Sequence, residues 1–106
     1  MVSQVALIDT LKIELLNALC QQWKIQEFSV FGSIVQGGFS EESDVDCLVK
    51  FSEDADWDLL DIIKLKQKLS DLFGRPVDLI EQESISNPFI LRSIKENHRI
   101  LYSSHG

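Results

Sequence analysis

Gly32-Ser33 is followed, after ten intervening residues, by Asp44-Val45-Asp46. In a β-strand, residues i and i+2 point to the same face, so Asp44 and Asp46 are expected to project side by side. Two adjacent carboxylates repel each other unless a cation lies between them. The small-residue turn ahead of them suits phosphate. Glycine lets the backbone approach a ligand closely, and Ser33, as an N-cap, would start a helix whose free amides favour anions. A divalent metal beside a phosphate cradle is the chemistry these residues suggest.

Asp78 is the third candidate. It sits in the apolar run Val77–Ile80, and Asp is depleted in strands because its short charged side chain belongs neither in a core nor on a pleat. If the strands carrying Asp46 and Asp78 are neighbours, Asp78 faces the pair. Three carboxylates around one point suit Mg²⁺ or Mn²⁺, hard cations that take oxygen ligands and are commonly shared with substrate phosphates. Taken singly, each Asp reads better as a solvated strand end; the three with the Gly-Ser turn favour a metal site. An EF-hand is excluded, because the sixth and twelfth positions from Asp44 are Val49 and Ala55, where that loop needs Gly and Glu. A Walker-type loop fails too, since no Gly-Lys-Ser/Thr follows Gly32.

The elements that must position these residues follow from periodicity. Val5, Ile8, Leu11, Leu15, Leu16, Leu19 and Trp23 predict an amphipathic helix from about Ser3 to Trp23. A short strand, Ser29–Phe31, leads into Gly32. Residues 33–43 read as a short helix or loop. Val45–Phe51 is a strand with Val45, Cys47 and Val49 on one face. A helix is expected from about Ala55 to Phe73, capped by Asp54 or Asp56 and stopped by Gly74 and Pro76. Val77–Ile80 is the next strand. Asn87 and Pro88 start a third helix as N-cap and first residue, ending near Asn97, and Arg99–Tyr102 closes as a strand. The tail from Ser103 is expected to be disordered. The expected fold is therefore α/β, a small mixed sheet with helices packed against it, in a single domain over residues 1–106.

Composition bounds the partners. The net charge of −7 argues against a general nucleic-acid grip, which needs clustered Lys and Arg. A phosphate ligand would arrive with its own metal, and a basic protein is the natural macromolecular complement. Cys20 and Cys47 have no metal-ligand spacing and read as buried free thiols. No signal-like start and no apolar run of about 18 residues is present, so a cytoplasmic protein without membrane contact is expected. Trp57 reads as core or interface, and Lys64, Lys66 and Lys68 as a solvated helix face. His98 is expected to end a helix as a cation favourable to the dipole.

Val30-Phe31-Gly32-Ser33, the ten-residue spacer and Ser43–Val49 together resemble the signature of minimal nucleotidyltransferases of the DNA polymerase β-like superfamily. Arg75–Ile80 is similar to that family's third-carboxylate strand and Arg99–Tyr102 to its closing strand, so the resemblance spans roughly Phe28 to Tyr102. It implies a polymerase β palm-like nucleotidyltransferase fold. It also implies that Asp44, Asp46 and Asp78 are catalytic residues holding Mg²⁺, and that Gly32, Ser33, Gln36 and Ser43 bind the nucleotide, with ATP as substrate. Small members resemble the antitoxin of a toxin–antitoxin pair, which implies transfer of AMP to a tyrosine of a HEPN-type ribonuclease toxin. The implied partners are ATP and that toxin, in a homo- or hetero-oligomer. One departure is plain: the family usually places Arg shortly after the Gly-Ser pair, whereas Ile34, Val35 and Gln36 stand here. Charge-assisted bonds of that kind are worth about 1.5–3 kcal/mol each. The alternative is therefore a catalytically weak or inactive antitoxin that neutralises its partner by binding alone. A third reading, transfer to a small molecule such as an aminoglycoside, would need a companion subunit.

Overall fold

Val45, Cys47 and Val49 alternate along one strand and are fully buried, as the period-2 pattern requires. The structure, a computed structural model, describes residues 10–32 and 44–104. The described residues form α1 (Thr10–Gln22), β1 (Ile25–Phe31), β2 (Val45–Phe51), α2 (Leu59–Phe73), β3 (Val77–Glu81), a 3-10 turn (Gln82–Ser84), α3 (Pro88–Glu96) and β4 (Arg99–Ser103). The strands make one mixed sheet in the order β3-β2-β1-β4. β2 and β3 run parallel, while β1 is antiparallel to both β2 and β4. The expected mixed sheet with packed helices is what the chain forms.

The core lies between the sheet and α1 and α2. Leu16 and Cys20 of α1 meet Phe28, Val30 and Cys47 of the sheet and Leu65, Leu69 and Phe73 of α2. Phe28 and Phe73 stack with centroids 6.4 Å apart. Both cysteines are buried and free, as expected. Burial raises the Cys20 thiol to about 12. Burial also raises that of Cys47, helped by the negative charges of Asp46 and Asp78, so neither is a ready nucleophile. Among the described residues no helix is long and apolar enough to cross a membrane.

Three element boundaries differ from expectation, each for a physical reason. β1 begins at Ile25, four residues before the expected start. A bulge between Ile25 and Glu27 puts buried Ile25 and Phe28 three apart, which hides the alternation. α2 begins at Leu59, capped by Asp58 and not by Asp54 or Asp56. Asp58 accepts from the Asp61 amide at 2.8 Å, and Asp61 accepts from the Asp58 amide at 3.2 Å. Only Asp58 has a carboxylate three residues on to reach back; three residues after Asp54 and Asp56 stand Trp57 and Leu59. Trp57 is also held ahead of the helix, its Nε1 donating to the Trp23 carbonyl at 2.8 Å and its ring 4.8 Å from that of Trp23. Finally, Ser103 pairs with Glu27, and the Ser104 amide donates to Gln26 at 2.9 Å, so the tail's first residues extend β4. The expected helix start before residue 10, the segment 33–43 and residues 105–106 lie outside the described residues.

Candidate active site

The α2–β3 connection sets the position of Asp78. Gly74, at φ +74, ends α2, and its amide and that of Arg75 both donate to the Ser70 carbonyl at 2.8 and 3.2 Å. The Ser70 hydroxyl accepts from the Val77 amide at 3.1 Å. The Val45 amide then donates to the Pro76 carbonyl at 2.9 Å, tying the start of β2 to the start of β3. This lock sets the parallel register Val45↔Val77 and Asp46↔Asp78. The condition placed on Asp78 is met: its strand neighbours that of Asp46, and the two residues stand directly opposite.

Gly32 completes the group from β1. Phe31 pairs with Asp46, and Gly32 follows at φ +80, a conformation that favours glycine. A Cβ at Gly32 would collide with Oδ2 of Asp46. The glycine is required by the carboxylate beside it as well as by the turn. The sequence assigns Gly32 to the turn and to phosphate but not to Asp46, because a contact across strands leaves no mark in local spacing. Ser70 was missed as well; a mid-helix serine carries no signal until the following turn folds back onto it.

The aspartates are coupled by repulsion. Burial raises the Asp46 carboxyl above the ordinary carboxylate range, and the charges of Asp78 and then Asp44 raise it further. Asp44 and Asp78 are themselves exposed. A cation would relieve this repulsion, and an all-oxygen donor set fits Mg²⁺ or Mn²⁺ better than a softer ion. Among the described residues no three His, Cys, Asp or Glu side chains stand in metal-liganding geometry. The carboxylates are near enough to feel one another but not gathered on one point. Ser33, Gln36 and Ser43, the other expected nucleotide-binding residues, lie outside the described residues.

An open depression of about 900 Å³, lined by Glu53, Asp54, Trp57, Glu81 and Glu83 among others, lies at the opposite end of β2 and β3 from the aspartates. Its size does not make it the site, since none of Gly32, Asp44, Asp46 and Asp78 borders it. Trp57 is half-buried against Trp23, and Lys64, Lys66 and Lys68 are exposed, all as expected. His98 lies at the end of α3, directly after the Asn97 cap and before β4, while Lys95 supplies the cation inside the last turn.

Residues 12–101 match the family model described as nucleotidyltransferase domain. A candidate protein adenylyltransferase of Methanocaldococcus jannaschii is 39% identical over 79 residues, covering 74% of this chain and 79% of its own length. The protein adenylyltransferase MntA of Thermococcus cleftensis is 37% identical over 78 residues, covering 74% of this chain and 77% of its own. The fold is shared with a solved complex of tri-AMPylated Shewanella oneidensis HEPN toxin and MNT antitoxin. That likeness has a TM-score of 0.63 at 21% identity and covers 89% of this chain and 71% of that one.

Proposed function

Because this chain belongs to the nucleotidyltransferase domain family, we propose that it transfers AMP from ATP to a tyrosine of a HEPN-type toxin and is that toxin's antitoxin. The observation that carries this reading is the register Asp46↔Asp78, with Gly32 packed on the Asp46 carboxylate. Two relatives carry adenylyltransferase names, and the Shewanella complex holds an AMPylated HEPN toxin, which supports the choice of acceptor.

In this mechanism Asp44, Asp46 and Asp78 would hold Mg²⁺. The ion, when bound, neutralises triphosphate charge and stabilises the entering and leaving oxygens of an in-line displacement. Gly32, having no side chain, lets the phosphates come close to the backbone at the end of β1. Asp46, whose ionisation is opposed by burial and then by the charges of Asp78 and Asp44, would be favoured as the carboxylate wherever a cation offset those charges. Asp78, exposed at the start of β3, accepts the proton of the tyrosine hydroxyl. The tyrosine oxygen bonds to the α-phosphorus, and the bond from that phosphorus to the β-phosphate bridging oxygen breaks, releasing pyrophosphate.

The experiment is incubation with Mg²⁺-ATP and the protein encoded beside it, followed by intact-mass measurement of that protein. The expected product is heavier by whole AMP units. An unchanged mass, under conditions where the two proteins bind, overturns the catalytic claim. Ile34, Val35 and Gln36, in place of the family's usual arginines, favour a second reading, neutralisation by binding alone. It predicts that Asp44→Ala with Asp46→Ala still neutralises the partner, whereas the catalytic reading predicts loss.

A further inference from the structure

His98 is the one histidine among the described residues, and neither helix capping nor the proposed chemistry uses it. Its Nδ1 is buried with no hydrogen-bond partner, although the residue as a whole is only half-buried. With no acceptor at Nδ1, the neutral ring is best served by keeping its proton on Nε2. The exposed part of the ring is then a donor.

Strand register says where that donor stands. Asp46 is opposite Asp78 on one side and Phe31 on the other. Val30 is opposite Arg99, the first residue of β4, and continuing that register by one residue sets His98 beside Phe31. Asp78, Asp46 and Phe31 occupy one level across the sheet, and His98 continues it. Neighbouring strands are about 4.8 Å apart, so that continuation sets His98 about 10 Å from Asp46, beyond the half-buried ring of Phe31. A nucleotide whose phosphates are held at the aspartates carries its sugar and base over a span of that size.

We propose that His98 is a nucleoside-binding residue of this site, donating a hydrogen bond from Nε2 to the sugar or base while Phe31 lies between it and the carboxylates. This rests on the nucleotidyltransferase reading above and adds a subsite to it. The test is calorimetric binding of Mg²⁺ with AMP-PNP and, separately, of Mg²⁺ with inorganic triphosphate, for the whole chain. His98→Ala is expected to weaken AMP-PNP about tenfold, the scale of one hydrogen bond, and to leave triphosphate unchanged. His98→Gln, which restores a donor near the Nε2 position, is expected to recover most of the loss. If the alanine variant melts early, His98→Met fills the space without a donor and carries the same prediction. Unchanged AMP-PNP affinity, or an equal loss for both ligands, overturns the assignment of His98 alone. A wild-type chain that binds neither ligand overturns the underlying site as well.

Discussion

Asp46 works against folding and, in the proposed mechanism, for binding. Its carboxyl is raised by burial and by the charges of Asp78 and Asp44, so the folded chain keeps that proton at a pH where the unfolded chain has released it. The stability this confers is fully present below the ordinary carboxylate range and is lost as pH rises through the raised folded value. Metal-free melts should therefore fall in Tm as pH climbs across that window, and Asp46→Asn should flatten the fall while raising Tm at neutral pH. The same variant should lose AMP transfer by about a hundredfold or more, the scale of removing one preorganised electrostatic group. Gly32→Ala offers a contrast, since it strains a left-handed residue and strikes Asp46 Oδ2. Urea denaturation should show a loss of about 1–3 kcal/mol together with loss of transfer. At this scale the sequence was informative about identity: Asp44, Asp46 and Asp78 stood out because Asp is unusual in strand-like runs, and Gly32 because glycine marks the turn that precedes them. The contact between Gly32 and Asp46 was not, because it joins residues fourteen apart whose approach only the sheet defines.

Elements deliver those residues through caps and turns more than through propensity. The start of α2 is the clearest case, since Asp54, Asp56 and Asp58 are all acceptable caps by type. The reciprocal bonds between Asp58 and Asp61 decide among them. Asp58→Ala should cost about 1 kcal/mol, whereas Asp54→Ala, which removes only an exposed 3.6 Å ion pair with Lys24, should stay within about 0.5 kcal/mol. Thermal melts of the two variants check the assignment. Helix ends marked by distinct chemistry were legible in the chain, as at Asn87-Pro88 and Gly74. The start of β1 was not, because its bulge breaks the two-residue period on which strand reading depends. The lock of Ser70, Pro76 and Val45 was equally hidden, though it sets the register on which the aspartates rely.

At the scale of the molecule, one apolar layer holds the sheet against α1 and α2, while the aspartates stand at the starts of β2 and β3. Leu69 is fully buried in that layer, and Leu69→Ala should cost about 2–5 kcal/mol by urea denaturation while leaving the aspartates in place. The mixed sheet was legible from the order of apolar runs, but the pairing of β2 with β3 entered the sequence reading only as a condition. Strand order is a non-local property that periodicity does not encode. We propose that Asp44, Asp46 and Asp78, the last two set opposite each other by that pairing, form one divalent-metal and nucleotide site. Electron paramagnetic resonance of Mn²⁺ titrated into the protein with ATP tests it directly. The wild-type chain should immobilise Mn²⁺ beyond what ATP alone holds, and Asp46→Asn and Asp78→Asn should each abolish that excess. An excess that survives either substitution, or none in the wild type, would contradict the account.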